Sequence, residues 1–240
     1  MELRHILLGV GFALIWASAF PSAKMAVQFC PPFLFLFMRF LSAGLFSIML
    51  GAYLGQSLNF DRKSLLWITT FGLIQNGLYL GLIFLALTKI DANVSVIIAS
   101  ILPLTVAFFS WIFFKAKISF LGLFGLVVGL AGVLLIMLQR VEKEIELLGI
   151  TLCLLGLLAT TFSTLIITKI KINKNNILIV VGLQMLAGSL FLLPLSYFFE
   201  IWSVSFNVTF LFTFIYIAAF PGIIGPIIWF YLQKEIGAVK

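Results

Sequence analysis

The sequence predicts an all-α membrane protein with about eight transmembrane helices. Of the 240 residues, 63% are apolar and 10% are charged, and the mean hydropathy is +1.24. The charged residues lie in short clusters between long apolar segments, whereas a water-soluble domain spreads them over its whole surface. The apolar segments do not alternate polar and apolar residues, so helices are favoured over the strands of a transmembrane barrel.

Eight apolar segments are long enough to cross a bilayer. A hydrocarbon core of roughly 30 Å requires about 20 helical residues at a rise of about 1.5 Å per residue. Pro103 in the fourth helix, and Pro221 and Pro226 in the eighth, remove backbone hydrogen bonds, so we expect bends there. The predicted helices are 6–27, 33–54, 65–87, 92–114, 118–138, 147–168, 177–199 and 209–232.

The formal charge of +7 is explained by membrane topology. With the amino terminus inside, ten Lys and Arg residues lie in cytoplasmic segments and four lie outside, and the positive-inside rule then places both termini in the cytoplasm. The basic residues are dispersed, without an aromatic-laced basic segment that would suggest a nucleic-acid partner. The expected location is the cell inner (plasma) membrane, with the lipid bilayer as the surroundings. A homo-oligomer is compatible with these features.

An internal repeat organises the chain. The segment WASAF at 16–20 matches LATTF at 158–162, and residues 87–94 match 232–239, at offsets of about 142 to 145 residues. The first copy contains five helices, an odd number, so the second copy is inverted in the membrane. We predict a first repeat at 1–140 with five transmembrane helices, and an incomplete second repeat at 147–240 with three.

Several short motifs, taken in order, resemble a known family. They are WASAF at 16–20, PPF at 31–33, MRF at 38–40, LALTKIDA at 85–92, LPL at 102–104 and a glycine-laced fifth helix. In this order they resemble the EamA domain of the drug/metabolite transporter (DMT) superfamily, closely over the first 140 residues and more loosely over 147–240. The resemblance implies ten helices in two five-helix halves around a central cavity. The chain is therefore predicted to be truncated before the last two helices.

Polar side chains inside the bilayer are the candidates for solute binding, because an unsatisfied polar group in hydrocarbon costs on the order of a few kcal/mol. Ser18 and Ser22 are four residues apart and share a helix face, as do Thr160 and Thr164. The two pairs correspond in the two repeats and are predicted to face each other. The alternative is that these hydroxyls bond to carbonyls of their own helices.

A second cluster lies in the third helix, where Gln75, Asn76 and Tyr79 share one face and offer amide and phenol groups to a polar solute. Trp16 and Phe20, one turn apart, are candidates for an apolar wall, with plain packing as the alternative. The complete set of predicted cavity residues is Trp16, Ser18, Phe20, Ser22, Gln75, Asn76, Tyr79, Ser95, Ser100, Thr160 and Thr164.

Two basic residues lie near the outer ends of their helices. Arg39 lies about seven residues into the second helix, a depth of roughly 10 Å. Its long side chain is expected to snorkel to the outer interface, with solute binding as the alternative. Lys24, near the outer end of the first helix, is open to the same two interpretations.

The sequence contains no pattern that indicates an enzyme. It has no phosphate-binding Gly-Lys-Ser/Thr loop, no metal-ligand spacing of His and Cys, and no HExxH or Ser-His-Asp set. No catalytic residue, metal or cofactor is therefore predicted. The predicted function is a secondary transporter or facilitator that moves a small neutral or zwitterionic metabolite, an amino acid or similar, by alternating access. The alternative is a non-transporting truncated remnant or a membrane assembly partner.

Overall fold

The predicted all-α membrane fold is confirmed. A computed structural model of the chain describes residues 3–115, 124–125, 128, 131–132, 135, 144–170 and 175–236. In these ranges the regular elements are all helical, and seven helices are long and apolar enough to cross a membrane. They correspond to seven of the eight predicted helices. The other one, at 118–138, lies largely outside the described residues.

The first three membrane spans begin the chain, and the third of them is irregular. Its helix passes through a π-helical segment at Leu73–Tyr79 before it continues as a regular α-helix. The α-helices of these spans are α1 (Leu3–Ala26), α2 (Pro32–Tyr53), α3 (Arg62–Gly72) and α4 (Leu80–Leu87).

The later spans show two more irregularities. The predicted bend at Pro103 is found as an interruption between two helices, and Pro103 lies at the start of the second. Pro221 lies in another π-helical segment, Ala218–Ile224. The α-helices are α5 (Ala92–Ala99), α6 (Leu102–Phe114), α7 (Glu144–Ile166), α8 (Ile177–Phe199), α9 (Val208–Ile217) and α10 (Gly225–Ile236), and a short 3-10 turn, Ile167–Lys169, follows α7.

The two π-helical segments are related by position. Leu73–Tyr79 and Ala218–Ile224 are each seven residues long and begin 145 residues apart, which is the offset of the predicted repeat. A π-helical segment leaves backbone groups with less regular hydrogen bonding, and such segments occur frequently at functional sites. Each segment places such irregular backbone near the middle of its span.

Small residues allow the helices to approach closely. Gly44 of α2 and Gly182 of α8 face each other, and a Cβ on Gly44 would lie 3.1 Å from the carbonyl oxygen of Gly182. Gly72 of α3 likewise lies directly against the backbone of Gln184 in α8. Lipid is as apolar as a leucine side chain, so transmembrane helices associate mainly through such close packing.

The outward-facing surface of the bundle is apolar. Leu14 of α1 is 67% exposed, and Leu190 of α8 and Phe212 of α9 are 70% and 71% exposed. Large apolar side chains at this exposure would be unfavourable in water, and they fit the hydrocarbon of a bilayer. These side chains face lipid.

Glu200, which follows α8, supports the start of α2. Its carboxylate oxygens accept hydrogen bonds from the backbone N–H groups of Phe33 and Leu34, each at 2.8 Å. These N–H groups belong to the first turn of the helix, where no carbonyl of the helix itself can accept from them. Partial burial raises the pKa of this carboxyl above its ordinary value, although the two N–H bonds act in the opposite direction.

Glu200→Ala is expected to lower the free energy of unfolding by about 1 to 3 kcal/mol, because it leaves two N–H groups without their acceptor. The measurement is the melting temperature of the purified protein in detergent. Glu200→Gln keeps one acceptor oxygen and is the matched control, with a smaller loss. Equal melting temperatures for the wild type and Glu200→Ala would show that the contact does not stabilise α2.

Candidate functional site

A central cavity of about 690 Å³ lies among the helices, and each of the seven described spans contributes to its wall. Both π-helical segments face it. Asn76 and Tyr79 of the first segment and Pro221 and Gly222 of the second line the cavity. Binding sites for small molecules usually enclose roughly 300 to 1,000 Å³. The cavity is therefore the right size for a small metabolite.

One side of the cavity is aromatic. Trp16 and Phe20 of α1 both line it, and their rings meet edge to face with centroids 5.4 Å apart. Phe12 of α1 stacks on Trp229 of α10 at 5.1 Å, and both rings also line the cavity. The two residues predicted as an apolar wall thus belong to a larger aromatic surface that joins the first span to the last described span.

Gln75 joins two spans at the cavity wall. Its Oε1 accepts a hydrogen bond from the hydroxyl of Thr160 at 3.0 Å and another from the hydroxyl of Ser163. Thr160 and Gln75 both line the cavity, as does Thr164 one turn further along α7. The Thr164 hydroxyl donates to the carbonyl of Thr160 at 2.8 Å, so this hydroxyl is bonded to its own helix. Gln75 and Thr160 therefore form a polar bridge between the third span and α7.

Asn76, the neighbour of Gln75, bonds to α8 instead of α7. Its Nδ2 donates to the backbone oxygen of Gln184 in α8 at 3.1 Å. The predicted cluster of Gln75, Asn76 and Tyr79 thus lies together at the cavity, where its amides bridge to α7 and α8. Ser100, at the interruption between α5 and α6, also lines the cavity, and its hydroxyl donates to the carbonyl of Ile97 at 2.6 Å.

Three of the predicted hydroxyls lie away from the cavity. Ser18 contacts the hydroxyl of Tyr216 in α9 at 2.5 Å, so this face of α1 is turned towards α9. Ser22 donates to the carbonyl of Ser18 within α1 at 2.9 Å. Ser95 is fully buried against the Cys153 thiol of α7 at 3.2 Å. The serine pair of α1 therefore does not face the threonine pair of α7 across the cavity.

Lys24 also lies away from the cavity. Its Nζ donates to the carbonyls of Leu87 and Ile90 at 2.7 and 2.8 Å. The last carbonyls of a helix have no N–H partner within it, and a cationic side chain there is favourable. Lys24 therefore caps the end of α4.

Arg39 differs from the expectation that its side chain snorkels to the outer interface. The residue is 3% exposed and its side chain lines the central cavity. The guanidinium carbon lies 4.8 Å from the centroid of the Phe40 ring, a cation–π contact. The backbone of Gly222 lies beside it, because a Cβ at Gly222 would be 3.7 Å from Nη2 of Arg39. Packing against this π-helical segment holds the side chain inward, so the snorkelling prediction is wrong.

Gln184 is a cavity residue outside the set predicted from the sequence. It is 2% exposed, lines the cavity, and its Oε1 has no hydrogen-bond partner among the described residues. The signal was present in the sequence, since Gln184 is the one amide side chain within the apolar helix predicted at 177–199. The same signal identifies Gln75 in the third helix.

The cavity wall carries side chains that can hydrogen-bond to a small molecule. Among the lining residues in the described part of the chain, Arg39 is the one charged side chain, accompanied by amides, hydroxyls and aromatic rings. In that same part of the chain, no group of three or more His, Cys, Asp and Glu residues could hold a metal ion. The arrangement can enclose a small molecule and hydrogen-bond to it.

Within the described residues, seven apolar helices surround a central, partly polar cavity, which is the architecture of a multi-pass membrane protein that can enclose a solute. The EamA-like transporter family matches the chain over residues 3–138, and the chain belongs to this family. The resemblance of its motifs to the EamA domain is confirmed.

Similar proteins bear transporter names. An uncharacterized transporter in the trpA 3' region of Buchnera aphidicola subsp. Schlechtendalia chinensis is 30% identical, over 98% of this chain and 78% of the relative. The uncharacterized transporter YvbV of Bacillus subtilis is 25% identical, over 99% of this chain and 77% of the relative. A crystal structure at 18% identity superposes with a TM-score of 0.69 over 98% of this chain and 80% of its own, and it supports the fold alone.

Proposed function

We propose that this protein is a secondary transporter or facilitator that carries a small neutral or zwitterionic metabolite, such as an amino acid, by alternating access. The observation that carries the proposal is the central cavity of about 690 Å³. Its amides and hydroxyls can hydrogen-bond to a polar solute, and its aromatic rings can pack against apolar parts of the same solute.

The spacing of the π-helical segments supports alternating access. We infer two repeats of opposite orientation, 1–140 and 147–240, with Leu73–Tyr79 and Ala218–Ile224 at equivalent places in them. Transporters built from inverted repeats bind solute near the midplane between the halves, and one half rocks against the other. In this proposal the two irregular segments absorb the change in backbone angles during that movement.

The charge of the cavity supports the substrate class. Among the described lining residues there is one cation, Arg39, and there is no carboxylate. A cationic solute would lose its hydration in the cavity without gaining an opposite charge, which is strongly unfavourable. A neutral solute meets no such barrier, and a zwitterion brings a carboxylate that is opposite in charge to Arg39.

We also propose that the protein lies in the inner membrane with both termini in the cytoplasm. The excess of Lys and Arg in one set of predicted connections supports this orientation. Reporter tags inserted after Lys115 and Lys171 test it. Both tags are expected to report a cytoplasmic location, and a tag detected outside the cell would contradict the orientation.

Uptake into proteoliposomes tests the transport proposal. The purified chain is reconstituted and presented with labelled neutral and zwitterionic metabolites, including the common amino acids. We expect saturable uptake of at least one of them, which the same unlabelled compound competes away, whereas protein-free liposomes show none. Absence of saturable flux for every solute, with protein that remains folded in the liposomes, would defeat the proposal.

A further inference from the structure

Arg39 has an unusual environment for a charged side chain. It is 3% exposed and lines the central cavity, and its Nε has no hydrogen-bond partner within the described part of the chain. Its neighbours include the ring of Phe40 and the backbone of Gly222. None of the described cavity-lining residues carries a negative charge that would pair with it.

An unpaired guanidinium in such a place is costly to bury, and charged residues inside a membrane protein usually pair or take part in function. A long side chain at this depth could reach the outer interface, as snorkelling arginines do. Here it instead turns into the cavity against the second π-helical segment. The missing partner is therefore best supplied by something that enters the cavity.

We propose that Arg39 binds the carboxylate of the transported solute. This inference rests on the proposed transport function and narrows its substrate class to carboxylate-bearing metabolites. The planar guanidinium presents N–H donors in a fork that matches the two oxygens of a carboxylate. The helices around the cavity have a low dielectric constant, so such a charged pair beside them is stronger than it is in bulk water.

Gln184 extends the inference to an amino group on the solute. Its Oε1 is a buried acceptor that lacks a partner among the described residues, and it lines the same cavity as Arg39. An ammonium group carries three N–H donors and can satisfy this oxygen. In hydrogen-bonding chemistry, this donor and this acceptor in one cavity complement the two charged groups of a zwitterion, with its carboxylate on Arg39 and its ammonium on Gln184.

The test is ligand binding by the purified chain in detergent, measured as thermal stabilisation across a concentration series. The probes are the common amino acids with their amides, and the matched set of L-leucine, L-leucinamide, isopentylamine and isocaproate. Inorganic phosphate is included to test whether the site binds oxyanions other than carboxylates. We expect at least one amino acid to bind, with an affinity roughly tenfold to hundredfold above that of its amide, because the charged hydrogen bonds are lost.

Variants of Arg39 test whether the preference for the carboxylate over the amide depends on this side chain. Arg39→Gln is expected to abolish the preference for the carboxylate over the amide, and Arg39→Lys to keep part of it. Arg62→Gln is the matched control, since Arg62 is exposed at the start of α3 and outside the cavity, and it should keep the full preference. If Arg39→Gln fails to fold, Arg39→Lys still tests the role of the guanidinium. Lysine keeps a point charge but lacks the planar fork, so it should weaken carboxylate binding and leave amide binding the same.

Several outcomes would overturn the inference. They are equal binding of amino acids and their amides, binding of phosphate but no carboxylate, no carboxylate binding at all, and an unchanged preference in either Arg39 variant. Saturable uptake of uncharged solutes by wild-type proteoliposomes, together with any of these, would leave the transport proposal standing without the role of Arg39. Absence of all flux would remove the transport proposal itself.

Discussion

Gly72→Ala is expected to destabilise the folded protein by about 3 kcal/mol or more, the upper range for inserting a methyl group into a packed core. A Cβ at Gly72 would fall on the backbone carbonyl oxygen of Gln184 and lie 2.8 Å from its Cα. Both are backbone atoms, which cannot rotate out of the way as the end of a side chain can. Helices α3 and α8 would have to separate, and the cavity wall at Asn76 and Gln184 would separate with them.

Gly9→Ala and Gly11→Ala are the matched controls in α1. A Cβ at either position would meet nothing within 4 Å, and alanine favours a helix by roughly 0.5 to 1 kcal/mol over glycine. The melting temperature and the yield of monodisperse protein in detergent are expected to fall sharply for Gly72→Ala, and to stay level or rise slightly for both controls. Equal melting temperatures for all three variants would refute the close contact between α3 and α8.

Gln75→Leu is expected to slow transport by roughly tenfold to hundredfold, the equivalent of about 1 to 3 kcal/mol. Leucine has a similar size but no acceptor for the hydroxyls of Thr160 and Ser163, which Gln75 joins to the third span. Ser163 keeps a second acceptor, the Thr160 carbonyl at 2.9 Å. The hydroxyl of Thr160 loses the one side-chain partner it has among the described residues, at the edge of the cavity.

The readout for Gln75→Leu is the initial rate of uptake into proteoliposomes, with ligand-dependent thermal shift as a measure of binding. Gln28→Leu is the matched control, because Gln28 is exposed in the turn after α1 and outside the cavity. It should transport at the wild-type rate. Wild-type uptake by Gln75→Leu would mean that the bridge between the third span and α7 has no part in transport.

The membrane spans were predictable because long apolar segments and the thickness of a bilayer leave few alternatives. The third helix was predicted at 65–87, and the structure places the span at Arg62–Leu87. The π-helical segment inside it was not predicted, because hydrophobicity does not distinguish α from π hydrogen bonding. The cluster of Gln75, Asn76 and Tyr79 could still be assigned to one face, since neighbouring turns share a face in both geometries.

The positions of individual polar side chains depend on contacts between helices that are distant in the sequence. Snorkelling was expected for Arg39 from its depth alone, whereas the segment that holds it inward, at Gly222, lies far along the chain. Ser18 was expected at the cavity from its position in the repeat, but Tyr216 of α9 is its partner. A sequence read one helix at a time cannot reveal either contact.

The most direct test of the central cavity is its accessibility to water. A charged, membrane-impermeant thiol reagent is applied to opened membranes that contain the variant Ala19→Cys or Leu14→Cys. The parent chain gives the background modification, because its Cys30 and Cys153 are buried. Both sites lie on α1, but Ala19 lines the cavity and Leu14 is 67% exposed on the lipid-facing surface. We expect modification of Ala19→Cys and none of Leu14→Cys, since the reagent reaches thiols in water. Modification of Leu14→Cys alone, or of neither variant, would contradict a water-filled solute pathway between these helices.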